Sequence, residues 1–149
     1  MPEEYLENYE RRVRESFDRQ QMMKTLGAEL SVVGNGATEI RFPVANSLTQ
    51  QHGYVHAGAV TTILDSACGY AALSVAPERS EVLSVEFKVN LLAPAVGESV
   101  VARAQVKRAG KKLAVCTADA FAVRDGGEKL IATMLATMIY VPQEKEAQR

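Results

Sequence analysis

Residues 57–75 carry a stripe of apolar side chains at helical spacing, and this stripe limits the folds available to the chain. The apolar residues recur every three or four positions, which predicts a helix with one face against a sheet. The members of the stripe are Val60, Ile63, Leu64, Ala67, Ala71 and Val75. Asp65 lies inside this segment, although aspartate is a poor interior helix residue because its short side chain competes for backbone donors.

The helical neighbours of Asp65 are all small. Positions three, four and seven residues away hold Gly58, Thr61, Thr62, Cys68, Gly69 and Ala72. A solvated helix face normally carries Lys, Glu, Arg or Gln, so this face predicts the close approach of another chain or a ligand to a lone carboxylate. Alternatively, Asp65 is simply exposed, or it accepts hydrogen bonds from Thr61 or Thr62.

Four antiparallel strands are predicted after Pro77. Val85, Phe87, Val89 and Leu91 alternate with polar residues at a period of two. In the segment 113–123 one face carries only small residues, which leaves room for a helix to lie close; they are Ala114, Cys116, Ala118, Ala120 and Ala122. One long helix and such a sheet predict an α+β fold, in which a curved antiparallel sheet wraps around the helix.

The segments before this helix predict a further helix and a hairpin. Pro2, followed by two glutamates, and the stripe Leu6, Tyr9, Val13 and Phe17 predict a helix over residues 3–24, which Gly27 ends. Two strands flank the turn 34–36, and residues 45–56 lack any period and predict a loop. We expect a single domain over 1–149, with an N-terminal helix in 1–24 and a polar tail at 142–149.

Composition excludes several classes of partner. The formal charge of −1 and the pI near 6.1 provide no basic surface for nucleic acid. No segment approaches the ~18 apolar residues of a membrane helix, and the charged N-terminus does not resemble a signal peptide, so we expect a cytoplasmic protein with no membrane partner. Cys68 and Cys116 lack neighbours at metal-ligand spacing, which predicts core residues and no metal site.

The start of the central helix predicts an anion site. The amides of Ala57 and Gly58 have no intrahelical acceptor, and the positive end of the helix dipole lies behind them. Such amides bind an anion or a developing oxyanion. His56 precedes them and His52 is equally available to orient a substrate, although either histidine, like the glycines, can also have a purely structural role.

Several of these motifs occur together in a known family. The segment HGYVHAGAVTTILDSACGYAA, followed by LSVEFKVNLLAPA and VKRAGKKLAVCTADAF, resembles the hotdog-fold acyl-CoA thioesterases of the PaaI type (4-hydroxybenzoyl-CoA thioesterase superfamily) over residues 25–141. The resemblance implies a hotdog fold, a homodimer with one continuous sheet and often a homotetramer. It also implies hydrolysis of an acyl-CoA substrate without a separate cofactor.

The resemblance also implies roles for individual residues. Asp65 matches the catalytic carboxylate, the amide after His56 matches the oxyanion donor, and Ser84 matches a polar residue that contacts water or substrate. Two positions depart from the family pattern: Ala57 replaces a glycine, and Gln50 replaces an asparagine. The extra methyl of Ala57 narrows the site, and the longer side chain of Gln50 changes its reach.

One carboxylate and one oxyanion site are sufficient for thioester hydrolysis. The leaving thiol has a pKa near ~8.5, so a strong general acid is dispensable. The residues leave open whether Asp65 is a general base or a nucleophile. A hotdog hydratase needs a histidine five residues after the aspartate, where this chain has Tyr70, and a non-catalytic acyl-CoA sensor remains an alternative.

Substrate contacts are predicted on both sides of this site. Arg108, Lys111 and Lys112 in the turn KRAGKK are candidates for binding the CoA phosphates, although a solvated hairpin tip explains them equally well. Tyr54 and Phe87, with Tyr70 and Met134, are candidates for a pocket that takes an aromatic or medium-length acyl group.

Overall fold

A computed structural model describes residues 3–144 of the chain, with side chains from residue 8 onward. Six antiparallel strands form one sheet in the order β1-β2-β4-β5-β6-β3. The strands are β1 (Glu29–Gly34), β2 (Ala37–Pro43), β3 (Ser80–Leu91), β4 (Ser99–Ala109), β5 (Leu113–Arg124) and β6 (Gly127–Pro142). The sheet packs around one long helix, as the sequence predicts.

The central helix, α3, spans Ala57–Ser74 and ends one residue before the predicted boundary. Its predicted apolar stripe is confirmed, because Val60, Ile63, Leu64, Ala67 and Ala71 are all buried against the sheet. Val75, the last member, lies just after the helix and is half-buried.

Small side chains line the sheet where α3 lies. The predicted small face of β5 is confirmed, since every alanine on it and Cys116 is buried. The neighbouring strands add further buried alanines at paired positions: Ala102 and Ala104 on β4, and Ala132 and Ala136 on β6. Because these side chains are short on both surfaces, the helix backbone approaches the sheet closely.

The N-terminal region corrects one prediction. The single helix expected over 3–24 is two helices, α1 (Glu3–Arg19) and α2 (Gln21–Leu26), separated at Gln20. Gln20 has an extended backbone (φ −80°, ψ 108°), and its side chain turns toward α3, where it contacts Ser66 and Tyr70. Tertiary contacts therefore break a segment whose local pattern is helical. Gly27 ends α2 in the left-handed conformation (φ 66°), as predicted.

Arg12 of α1 caps the far end of α3. Its guanidinium donates to the carbonyl oxygens of Leu73 at 2.5 Å, Ala76 at 3.0 Å and Pro77 at 3.1 Å. The last carbonyl groups of a helix have no intrahelical donors and carry partial negative charge, so the half-buried cation of Arg12 stabilises them. Arg12 therefore anchors α1 beside the C-terminus of α3.

Strand β3 lies at one edge of the sheet and differs from its predicted pattern. A bulge between Ser84 and Glu86 shifts its register against β6, so that Ser84 lies opposite buried Met138 while Val85 is the extra residue. The apolar set is largely exposed, with Val85 55% and Phe87 43% accessible. In the described structure this edge of the sheet is unpaired.

The remaining predictions concern turns and termini. The hairpin around residues 34–36 is confirmed, with Gly36 at φ 80°. The loop 45–56 contains one short 3₁₀ turn, Asn46–Leu48. Within residues 3–144, no helix has both the length and the apolarity needed to cross a membrane. The predictions for Pro2, the side chain of Leu6 and tail residues 145–149 fall outside the described part of the chain.

Candidate active site

The N-terminus of α3 has a built cap. His56 is the N-cap residue, and its Nδ1 accepts a hydrogen bond from the Gly58 amide at 2.7 Å. The amide predicted to be free at Gly58 is therefore occupied, whereas that of Ala57 has no acceptor among the described residues. Two bonds hold this corner: the His56 amide donates to Leu48, and the Val55 amide donates to Ala95. One N–H group is thus presented at the positive end of the helix.

Gln50 braces the loop beside this amide. Its Oε1 accepts from the backbone amides of His52 at 2.5 Å and Tyr54 at 3.3 Å. Because both of these partners are donors, the side-chain oxygen must face them, and the Nε2 group remains as a free donor in this part of the described structure. His52 contributes its backbone to this turn, and its ring is exposed.

Gln50, Tyr54 and Ala57 line one open cavity of about 400 Å³. Its other walls are apolar: Val55, Val60, Leu91, Leu92, Pro94 and Ile131. The cavity therefore combines two N–H donors with a large apolar surface.

Asp65 forms the second part of the candidate site. Its side chain is half-buried, and Oδ1 accepts a hydrogen bond from the Ser84 hydroxyl at 2.6 Å. This contact joins α3 to β3 and orients the carboxylate. Thr62 instead donates to the Gly58 carbonyl at 2.8 Å, so the interpretation in which Thr62 satisfies Asp65 is wrong.

A separate cavity of about 180 Å³ opens beside Asp65 and Ser84. Its walls come from α1, α3 and β3, and include Gln20, Ser66 and Tyr70. Gln20 is a lining residue that sequence analysis missed. Nothing in the neighbouring sequence indicates that this glutamine lines a cavity, because the helix break that directs its side chain there depends on contacts with α3.

The two parts of the predicted site are not joined within one chain. Ala57 and Asp65 line different cavities. They are eight residues apart on one helix, which corresponds to roughly 12 Å along its axis. Groups that act on one carbonyl need to lie within about 3 Å of the reacting atoms.

Of the predicted substrate-binding residues, Tyr54 lines the cavity beside Ala57, and the basic residues and Phe87 lie elsewhere. Arg108, Lys111 and Lys112 are at the β4–β5 hairpin, where the Lys112 carbonyl accepts from the Tyr140 amide. This hairpin lies toward the C-terminal end of α3 and lines neither cavity described above. Phe87 lies on the exposed edge strand, and Tyr54 lies beside Ala57.

The cysteines are core residues, as predicted. Both thiols are free and buried, and burial raises the pKa of Cys116 to about 11 and the pKa of Cys68 still further. The negative charges of neighbouring groups, including Asp65, add to the rise at Cys68. A protonated buried thiol is a poor nucleophile. The described residues hold no group of three or more potential His, Cys, Asp or Glu metal ligands.

Residues 52–129, which contain the α3 N-terminus, Asp65 and Ser84, match the model of the thioesterase superfamily. A similar solved structure is that of a thioesterase family protein from Silicibacter pomeroyi. It is 52% identical, has a TM-score of 0.88, and the match covers 90% of this chain and 98% of that one.

Two more distant structures show the same fold. The PaaI protein of Escherichia coli, from the phenylacetic acid degradation operon, is 18% identical with a TM-score of 0.83, and the match covers 93% of this chain and 97% of that one. A thioesterase from Haemophilus influenzae is 21% identical with a TM-score of 0.77, and the match covers 89% and 91%. At these identities the likeness concerns the fold alone.

The His56 cap leads to a stability prediction. His56→Ala removes the acceptor of the Gly58 amide, so we expect the free energy of unfolding to fall by about 1 kcal/mol, as for other lost N-caps. His56→Asn restores a good capping side chain and should recover most of this loss. His52→Ala, in the same loop, is the control and should leave stability unchanged. Equal denaturation midpoints for His56→Ala and the wild type would exclude a capping role.

Proposed function

Because this chain belongs to the thioesterase superfamily, we propose that it is an acyl-CoA thioesterase. Membership makes it a thioester hydrolase; the proposed part is a coenzyme A thioester with a medium-length or aromatic acyl group, cleaved to the free acid and CoA. The single observation that carries the proposal is the Asp65 carboxylate, which Ser84 orients at the edge of a cavity.

Thioester hydrolysis needs a hydrogen-bond donor at the carbonyl oxygen and a carboxylate that acts on the attacking water or on the carbonyl carbon. The Ala57 amide, at the positive end of α3, stabilises the negative charge that develops on the thioester oxygen, and the Nε2 group of Gln50 is a second donor in the same cavity. The Asp65 carboxylate either removes a proton from the attacking water or attacks the carbonyl carbon itself. In both routes the thiolate of CoA leaves without a strong acid, because its pKa is near ~8.5.

The distance between these groups supports a site built from two chains. Roughly 12 Å along the helix separates Ala57 from Asp65 within one chain. A two-fold axis that is perpendicular to α3 and passes beside it, level with residue 61, brings the Asp65 of one copy to the Ala57 of the other. Because the arrangement is symmetric, it generates two equal sites in each dimer.

The edge strand β3 supports the same pairing. An exposed apolar edge 12 residues long is a site of association unless something covers it. Ser84 is level with Asp65, and β3 runs antiparallel to α3, so a shift of about 6 Å toward residue 61 corresponds to roughly two residues of strand. Because Val85 is the extra residue of the bulge, the axis then passes near Phe87, and the two β3 strands continue one sheet. Two such dimers make the proposed tetramer.

The basic hairpin fits this dimer as well. In its own chain the hairpin with Arg108, Lys111 and Lys112 lies at the opposite end of α3 from Ala57. When the β3 strands of two copies pair antiparallel, the α3 helices of the two copies run in opposite directions. The hairpin of one copy then lies beside the end of the other copy's α3 that carries Ala57. Its cations are then available to the phosphates of a substrate whose thioester is bound at that amide.

The first prediction concerns Asp65. Asp65→Asn keeps the hydrogen bond from Ser84 but removes the charge, so we expect kcat for CoA release to fall by on the order of a hundredfold or more. Thermal stability should be unchanged or slightly higher, because a half-buried carboxylate is costly.

Asp119→Asn is a matched control for this variant. Asp119 also accepts a hydroxyl hydrogen bond, from Thr133 at 2.7 Å, but it lies on the exposed face of β5. Its replacement should leave CoA release unchanged. A wild type that binds acyl-CoA but releases no CoA would be a sensor rather than an enzyme, and an Asp65→Asn variant with normal turnover would remove Asp65 from the mechanism.

A complementation experiment tests the two-chain site. Ala57→Pro removes the N–H group while proline remains suited to the first helical position, and the extended backbone of His56 is compatible with a following proline. Ala57→Pro and Asp65→Asn should each be nearly inactive. Unfolded together and refolded, half of the dimers pair the two variants, and each mixed dimer has one intact site, so about a quarter of wild-type activity should return. Mixed dimers verified by mass but without activity would show that each chain completes its own site.

The basic hairpin leads to a prediction about KM. Replacing both Lys111 and Lys112 with alanine should raise KM for acyl-CoA and leave kcat close to wild type, the pattern of lost uniform binding. Because exposed charges are screened, the salt dependence of KM should weaken as well. Lys24→Ala removes an exposed charge on α2 and is the control. An unchanged KM would identify the turn as a solvated hairpin tip.

A further inference from the structure

The Ser84 hydroxyl lies near two acceptors that come from different elements. Its oxygen is 2.6 Å from Asp65 Oδ1 on α3 and 3.4 Å from the Sδ atom of Met138 on β6. A serine hydroxyl carries one hydrogen, so it donates to only one of the two at a time. The short bond to the charged carboxylate is the stronger one. The sulfur is therefore a second, weaker acceptor for the same hydrogen.

Sheet pairing fixes the position of this sulfur. Met138 lies directly opposite Ser84 in the pairing of β3 with β6, at the residue where the bulge of β3 begins. Residues that pair in this way have their side chains on the same face of a sheet. The Met138 side chain is fully buried in the core, and the Ser84 side chain lies between it and α3. Met138 thus contacts Ser84 from the side opposite to Asp65.

Hydrolysis weakens the stronger of the two acceptors. In both routes proposed above Asp65 loses its negative charge: as a base it takes a proton from water, and as a nucleophile it forms an acyl anhydride while the thiolate leaves. A neutral Asp65 accepts a hydrogen bond more weakly than a carboxylate does. A protonated Asp65 is also a donor, and Ser84 Oγ accepts from it only if the serine hydrogen points elsewhere.

We propose that Met138 is a positioning residue whose sulfur accepts the Ser84 hydrogen bond when Asp65 loses its charge. The hydroxyl rotates about its Cβ–Oγ bond from Asp65 to Met138, and in the general-base route its oxygen then accepts from the protonated Asp65. No proton is transferred in this rotation: the serine hydrogen stays on Oγ, and the proton on Asp65 is the one taken from water. The inference rests on the proposed function and adds a residue to the same site.

Burial of the edge strand makes the sulfur necessary. Ser84 is exposed in a single chain, where water is a further acceptor for its hydroxyl. Pairing of two β3 strands about an axis near Phe87, as proposed above, covers this part of the edge. Met138 is then the acceptor that remains for the hydroxyl once Asp65 is neutral. A covered hydroxyl without any acceptor would be unfavourable and would raise the barrier to hydrolysis.

Met138→Leu removes the sulfur and nearly keeps the volume of the side chain, a change that protein cores tolerate well. We expect kcat for CoA release to fall about three- to tenfold, the effect of one hydrogen bond. KM should stay unchanged, because Met138 lines neither cavity of the site. Met23→Leu is the matched control, since Met23 is also buried but lies on α2, and it should keep the wild-type kcat.

A double-mutant cycle with Ser84→Ala separates this role from packing. Without the serine hydroxyl the sulfur has nothing to accept, so Met138→Leu should lower kcat no further in the Ser84→Ala background. A packing defect would lower kcat by the same factor in both backgrounds. Equal factors, or a Met138→Leu variant with the wild-type kcat, would overturn the proposal.

Selenium NMR of the selenomethionine-labelled protein detects the same contact without substrate. The signal of residue 138 is the one absent from Met138→Leu. Asp65→Leu keeps the branched shape of the aspartate but has no acceptor, so the Ser84 hydroxyl should turn to the selenium and shift this signal. In the Ser84→Ala background Asp65→Leu should leave the signal unshifted, because no hydroxyl is present.

The two experiments distinguish this inference from the proposed function. If the wild type releases no CoA from any acyl-CoA but the selenium signal shifts as expected, the thioesterase proposal fails and the exchange of acceptors stands. If the wild type releases CoA but Asp65→Leu causes no shift, or an equal shift in the Ser84→Ala background, the exchange of acceptors fails and the thioesterase proposal stands.

Discussion

The close contact between α3 and the concave face of the sheet is the constraint on which the rest of the structure depends. It requires short side chains on both surfaces, such as Ala67 and Ala71 on the helix and Ala118 and Ala120 on β5, all of them buried. Dispersion attraction decays steeply with separation, so two surfaces of alanine gain it only if the backbones approach closely. A larger residue at any of these positions would force the two surfaces apart.

The position of the candidate site follows from this contact. With α3 held against the sheet, β3 passes close enough for Ser84 to donate to Asp65, and the carboxylate acquires a defined direction. The same helix presents its N-terminus to the loop that Gln50 braces. Cavities form where the close contact ends: one at the start of α3, and one where α1 lies beside it.

The exposed edge strand β3 and the separation of Ala57 from Asp65 both lead to the expectation of a dimer. The edge strand exposes apolar side chains that a partner would cover, and the two reactive groups lie too far apart to act within one chain. One symmetric association accounts for both, because the strand pairing that covers Phe87 also brings Asp65 of one copy toward Ala57 of the other. In this proposal the same β3 pairing forms the dimer and completes the catalytic site.

Local patterns in the sequence determined the elements and much of their packing. The period of the apolar stripe identified α3, and the row of small residues on β5 identified the surface on which it lies. Asp65 was recognisable as a candidate because a carboxylate among small helical neighbours is locally unfavourable. Such signals depend on residues close in sequence, and one chain is sufficient to interpret them.

Contacts between distant segments were decided only by the tertiary structure. The break at Gln20 follows from hydrogen bonds to Ser66 and Tyr70, which lie 46 and 50 residues away, and no local pattern contains that information. The bulge beside Ser84 depends in the same way on how two backbones meet in space. Helical and strand periods report which face of an element is apolar, whereas a polar contact between two elements depends on their relative position, which the packing of the whole sheet around α3 determines.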